Sequence, residues 1–149
     1  MEMKPEVSES YIGVDLDGTL ALHGTTWDGI SVHAPIPRMV ERVKGWLNEG
    51  TNVRIITARV APINTPERIA EQTERIEKWC EEHLGRKLPV QAYKCYNMIE
   101  LWDDRAIQVA RDSGIALVDV ANLLGNGMDE VKGIVQRIEN TLSAQLENP

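Results

Sequence analysis

The chain is predicted to adopt an α/β fold, because short runs rich in β-formers alternate with longer amphipathic stretches. Two further observations sharpen that expectation. The intervening stretches are long enough for helical crossovers, which makes the sheet mostly parallel and its connections right-handed. The predicted strands also end in Asp15, Thr57, Lys94 and the pair Asp103 and Asp104. All of these fall at the carboxyl edge, where open sheets of this kind bind ligands. The expected architecture is a three-layer α/β/α sandwich with a mostly parallel, Rossmann-like sheet of five strands in one domain over residues 1–149.

The elements follow in order. Tyr11-Ile12-Gly13-Val14 reads as the first strand and ends at Asp15. Residues 21–36 have no clear period and contain Gly24, Gly29 and Pro35, so they are expected to form a flap-like loop. Residues 38–49 place Met39, Val43, Trp46 and Leu47 on one helical face, with Gly50 to stop the helix. Asn52 to Ile56 reads as the second strand. Thr65-Pro66 then supplies an N-cap and a first helical residue, and that helix should turn Ile69, Thr73, Ile76 and Cys80 inward until Gly85. Strands are expected at residues 89–93, 98–102 and 115–118, with a short helix at 105–113. A last helix at 129–146 should bury Val131, Ile134, Val135, Ile138 and Leu142.

Bulk properties exclude several classes. The 149 residues suffice for one ordinary core, with 42% hydrophobic and 26% charged residues. Phe is absent, so Trp27, Trp46, Trp79 and Trp102 must supply most of the aromatic bulk. The net charge of -7 repels extended nucleic acid and anionic membrane but leaves room for a small anion at a local site. Cys80 and Cys95 are too few for a disulfide framework and lack metal-ligand spacing. Residues 1–10 form a polar tail without the apolar core of a signal peptide, and no stretch is long enough to span a bilayer. A cytoplasmic protein is expected, with self-association left open.

The residues gathered at the carboxyl edge suit phosphoryl transfer, which needs a nucleophile, a proton donor and positive charge around the transferring oxygens. Grouped carboxylates supply the oxygen ligands Mg²⁺ prefers, and the cation separates a nucleophilic carboxylate from a phosphate dianion. Lys94 and the Thr57 hydroxyl are candidates to hold phosphate oxygens. The backbone N–H groups after Asp17 are others, with Gly18 permitting close approach.

Asp15-Leu16-Asp17-Gly18-Thr19-Leu20 resembles the first motif of the haloacid dehalogenase superfamily of phosphotransferases. Ile55-Ile56-Thr57-Ala58-Arg59 resembles its second motif, Lys94 its third, and Asp103-Asp104 its acidic fourth, over roughly residues 11–120. The resemblance implies that Asp15 attacks phosphorus to form an aspartyl phosphate. It implies that Asp17 protonates the leaving group and then activates water. Gly18, Thr57, Ala58 and Lys94 would bind the substrate phosphate, and Asp15, the backbone carbonyl of Asp17, Asp103 and Asp104 would bind Mg²⁺. Two departures stand out: no Gly precedes Asp103, and Lys87 competes with Lys94 for the third motif. Neither gap between motifs has room for a folded cap, so a capless member is implied.

The substrate expected is a small phosphorylated molecule. A nucleotide or polynucleotide end phosphatase is an alternative, and a phosphate- or metal-binding regulatory module with little turnover is another from a different class. The ordinary alternatives for single residues are equally concrete. Arg59 reads first as a surface ion pair and second as a group reaching the substrate. His23 and His33 read first as inert loop residues, and His83 as a cation suited to a helix end.

Overall fold

The computed structural model describes residues 9–24, 28–116, 118–120, 132–138 and 140. Trp27, most of the N-terminal tail and much of the expected last helix lie outside them. The chain divides into two compact units, Met1–Asp104 and Arg105–Pro149.

In the first unit, β1 (Tyr11–Asp15), β2 (Asn52–Ile56), β3 (Val90–Gln91) and β4 (Met98–Trp102) form an all-parallel sheet in the order β3-β2-β1-β4. Helix α1 (Pro37–Asn48) links β1 to β2, and α2 (Pro66–Leu84) follows β2. Strands β1, β2 and β3 step across the sheet in one direction. The chain then returns past β2 and β1 to place β4 on the far side of β1. This reversal makes the gap between β1 and β4 the topological switch point, where the ends of neighbouring strands splay and leave a crevice.

Local chemistry explains the helices. Pro37 and Pro66 occupy the first turns, where a missing N–H costs nothing. The Thr65 side chain accepts a hydrogen bond from Arg68 N, and Gly85 closes α2 in the left-handed conformation with φ 82°. Alternation along the strands then sets the core. Ile12 and Val14 of β1 and Val53 and Ile55 of β2 pack with Val43 and Leu47 of α1 and with Ile76, Trp79, Cys80 and Leu84 of α2. On the other face, the Arg54 guanidinium lies 4.3 Å from the centre of the Tyr11 ring. The Tyr11 hydroxyl accepts from Gln91 Nε2 and Cys95 N, which fastens the returning segment.

Several expected elements differ. β3 is only two residues long, because Pro89 precedes it without an N–H to donate and residues 92 and 93 bend away. Residues 105–113 contain turns rather than a helix, and Ile115 and Ala116 do not extend the sheet. Ala116 instead forms one isolated antiparallel bridge with Val109, and residues 118–120 are helical. Four apolar residues in a row do not distinguish a strand from a buried turn or helix start. The described sheet accordingly has four strands. Of the last expected helix, residues 132–138 and 140 are helical; Ile134 is half-buried, while Val135 and Ile138 are exposed. Among the described residues, no helix is long and apolar enough to cross a membrane.

Candidate active site

Asp15 is the last residue of β1, and Asp103 and Asp104 directly follow β4, its hydrogen-bonded neighbour. One carboxylate oxygen from each of the three lies within 4.8 Å of the others. Crowding like charges in a half-buried place has an electrostatic consequence. The Asp15 carboxyl is pushed up to about 7, first by burial, then by the charge of Asp103 and by Asp104. The donor set fits a hard divalent cation: all its atoms are carboxylate oxygens. Ligand bonds of about 2.1 Å put opposite oxygens of Mg²⁺ about 4.2 Å apart, close to the spread seen here.

The turn after β1 completes this centre. Leu16 O accepts from Thr19, Leu20 and Ala21 N, and Gly18 N donates to Ala21 O at 2.8 Å. The Gly18 N–H is therefore engaged within the turn. Its contribution is steric. Gly18 has φ +88°, and a Cβ there would lie 2.7 Å from Asp104 Oδ2. Thr19, a residue of the first motif to which no task had been assigned, proves central. Its hydroxyl donates to Asp104 Oδ1 at 3.1 Å, accepts from Asp104 N at 2.9 Å and lies 3.5 Å from Asp15 Oδ2.

The Asp17 carboxylate points elsewhere. Arg59 Nε donates to its Oδ2 and Arg59 Nη2 to its Oδ1, each at 2.7 Å. Asp17 could thus serve a cation at Asp15 only through its backbone carbonyl. The Arg59 side chain is 3% exposed. The expectation of a surface ion pair is corrected: this is a buried, bidentate one. Burial of a guanidinium requires partners for all its donors, and those partners come from distant segments that no local pattern reveals. The sole sequence signal was the position of Arg59 two residues after Thr57.

Thr57 is buried, and its Oγ1 accepts from Arg59 N at 3.2 Å, capping the 3₁₀ turn Ala58–Val60 that Ala58 opens. That leaves the Thr57 O–H hydrogen for another acceptor. Lys94 is exposed in the turn-rich segment after β3, and the next residue, Cys95, donates its N–H to the Tyr11 hydroxyl. Lys87 lies near the start of β2. With Glu9, Asn52, Arg54 and Arg86 it lines a cavity of about 550 Å³ at the opposite edge of the sheet, 3.9 Å from Glu77 Oε2.

In the segment after the turn, Asp28 accepts from Ile30 N and Ser31 N at 2.8 Å each, and from the Ser31 hydroxyl. These donors, the Ser31 hydroxyl foremost, hold the Asp28 carboxyl below the usual carboxylate range. His33 O accepts from Trp79 Nε1 at 2.9 Å, which ties this segment to α2.

Comparison with protein-family models, with curated proteins and with solved structures finds no match to this chain.

Proposed function

We propose that the chain is a Mg²⁺-dependent phosphomonoester hydrolase of the haloacid dehalogenase type, with Asp15 as nucleophile. The observation that carries this reading is the meeting of Asp15 with Asp103 and Asp104 at the switch point between β1 and β4. An attacking carboxylate needs a cation beside it, and here the nucleophile and the remaining ligands arrive on adjacent strands. The motif order of the sequence supplies the rest, including the sandwich architecture and the absence of a cap. Lys94 enters the reading only through its order in the chain. The substrate in this reading is a small phosphorylated metabolite in the cytoplasm, since the net charge of -7 disfavours extended nucleic acid.

In this mechanism an Asp15 oxygen forms a bond to phosphorus while the bond from phosphorus to the leaving oxygen breaks. The electron pair departs with that oxygen, which takes a proton from the Asp17 carboxylic acid, a role that requires the Asp17 side chain to leave Arg59 and turn toward Asp15. Water then attacks the aspartyl phosphate, and the Asp17 carboxylate accepts its proton. The bond from phosphorus to Asp15 breaks, releasing inorganic phosphate and restoring both side chains. Thr57 donates its O–H to an oxygen of the transferring group. Bound at the three carboxylates, Mg²⁺ supplies the positive charge that offsets repulsion between Asp15 and the phosphate.

The test is release of phosphate from p-nitrophenyl phosphate by the full chain, with Mg²⁺ and with chelator, beside Asp15→Asn. Metal-dependent release by the parent alone is expected. Equal release by the parent and the variant sinks Asp15 as nucleophile.

A further inference from the structure

The edge of the sheet opposite the carboxylates is hollowed. The cavity of about 550 Å³ opens there between the end of α1, the start of β2 and the link from α2 to β3. Its volume falls in the range of about 300–1,000 Å³ that suits a small molecule. Leu47, Val53 and Leu88, all buried in the core, give it an apolar lining. Its charged lining is Arg54, Arg86 and Lys87 against Glu9 alone, a basic balance on a chain whose net charge is -7.

Two of those four charges are already engaged. Glu9 Oε2 accepts from Asn52 Nδ2 at 2.9 Å. The Arg54 guanidinium lies over the Tyr11 ring and donates to Gln91 Oε1 at 3.2 Å. The other two are not. Among the described residues Arg86 makes no hydrogen bond or ion pair, and Lys87 has only Glu77 Oε2, at 3.9 Å, too far for a hydrogen bond. The backbone that carries them is nonetheless fixed. Gly85 turns the chain out of α2 with φ 82°, Leu88 is buried in the core, and Pro89 O accepts from Ile55 N at 2.8 Å. Cations just past a helix also offset its negative end. Neither side chain donates to a carbonyl of α2, however, so that task leaves both heads available.

We propose that this cavity is a second binding site, for a small organic phosphate whose phosphate meets Arg86 and Lys87 and whose apolar body lies against Leu47, Val53 and Leu88. A guanidinium presents paired N–H donors to phosphate oxygens, and the neighbouring ammonium adds a compact positive charge. The apolar lining selects a ligand with a body, because inorganic phosphate alone would leave that lining in contact with water. The cavity lies at the amino ends of the strands and the carboxylate cluster at their carboxyl ends, so the two share no residue. Nothing in the proposal depends on the phosphatase reading.

The test is calorimetric titration of the full chain, in excess chelator, with phenylphosphonate and with inorganic phosphate. The carbon–phosphorus bond of phenylphosphonate keeps the probe intact. Without a cation the three clustered carboxylates repel either anion, so binding in chelator reports the cavity. The parent is expected to bind phenylphosphonate about 10-fold more tightly than inorganic phosphate. Replacing both cations, Arg86→Ala with Lys87→Ala, should weaken phenylphosphonate by about 10-fold or more. Thr51 lines the cavity, and its backbone N–H donates to Trp46 O. Thr51→Trp keeps that bond and every charge while filling the hollow, and should erase the preference for the phenyl group.

No binding at about 10 mM phenylphosphonate overturns the proposal. So does equal affinity of the parent for the two anions, which would mean a diffuse surface charge and no cavity. Unchanged binding in the double variant also overturns it. Tighter binding in Asp103→Asn would place the anion at the carboxylates and overturn it as well. No turnover is measured in any arm, so failure of the phosphatase reading leaves these outcomes as they are.

Discussion

Thr19 and Asp104 hold each other reciprocally. The Thr19 hydroxyl donates to Asp104 Oδ1 while accepting from Asp104 N. The end of β4 is thereby tied to the turn that follows β1, and the spacing of the acidic side chains depends on one hydroxyl. Thr19→Val keeps the shape and removes both bonds. It is expected to weaken Mg²⁺ binding by about 5- to 10-fold, as befits a partly exposed hydrogen bond to a charged group. Calorimetric titration of the parent and variant checks this.

Asp103 should oppose folding in the absence of a cation and favour binding in its presence. Its charge is the second cause, after burial, of the rise at Asp15. Asp103→Asn is expected to raise Tm without metal by about 2 °C. The same variant should lose most of the Tm gain that saturating Mg²⁺ confers on the parent. That gain amounts to about 5–10 °C at a hundredfold excess over Kd. Thermal scans with Mg²⁺ and with chelator decide it; a lower metal-free Tm in the variant counts against mutual repulsion.

Gly18 faces two constraints, a positive φ and the Asp104 carboxylate in the space of a Cβ. Gly18→Ala is expected to cost about 1–2 kcal/mol from backbone strain alone, with a further loss from displacing Asp104. Urea unfolding gives the first effect, and Mg²⁺ titration of the folded variant gives the second. Gly50 has the same backbone sign with open space around it. Gly50→Ala should therefore show the strain without the loss of metal.

Cys80 sets a limit at alkaline pH. Burial pushes its thiol up to about 12 from 9.0. The folded state keeps this proton where the unfolded chain releases it, so stability is unaffected below about pH 9 and falls as pH rises from there toward 12. Subtracting the urea midpoints of Cys80→Ala from those of the parent, between pH 8 and 11, should isolate a downward slope above pH 9. A flat difference would show that the thiol is not shielded.

Much of this arrangement could be read directly from residues whose roles are local. Thr65 and Pro66 start α2 as expected because capping involves only neighbours in the chain. Met98 to Trp102 forms a strand over the expected range, and Asp103 and Asp104 follow it. Legibility ends where a role depends on distant partners. Gln72 lies inward on α2 although it is polar, because Arg59 and Gly29 O await it there. Arg59 itself looks like any surface cation until residues 28–31 fold over it. The order of Lys94 in the chain does not by itself fix where its side chain lies, because the segment that carries it is bends and turns rather than strand.

The return of the chain from β3 to β4 also has a consequence for the order of assembly. β1, β2 and β3 can pair through successive crossovers, each closing a loop of moderate length. β4 must find β1 across most of the unit, and contacts of such large sequence separation carry the greater entropic cost of closure. Asp15 is placed early in that sequence of events and Asp103 and Asp104 late. A chain in the course of synthesis, exposed as far as α2, holds Asp15 without Asp103 and Asp104, and the complete set of carboxylates comes into being only when the last strand docks.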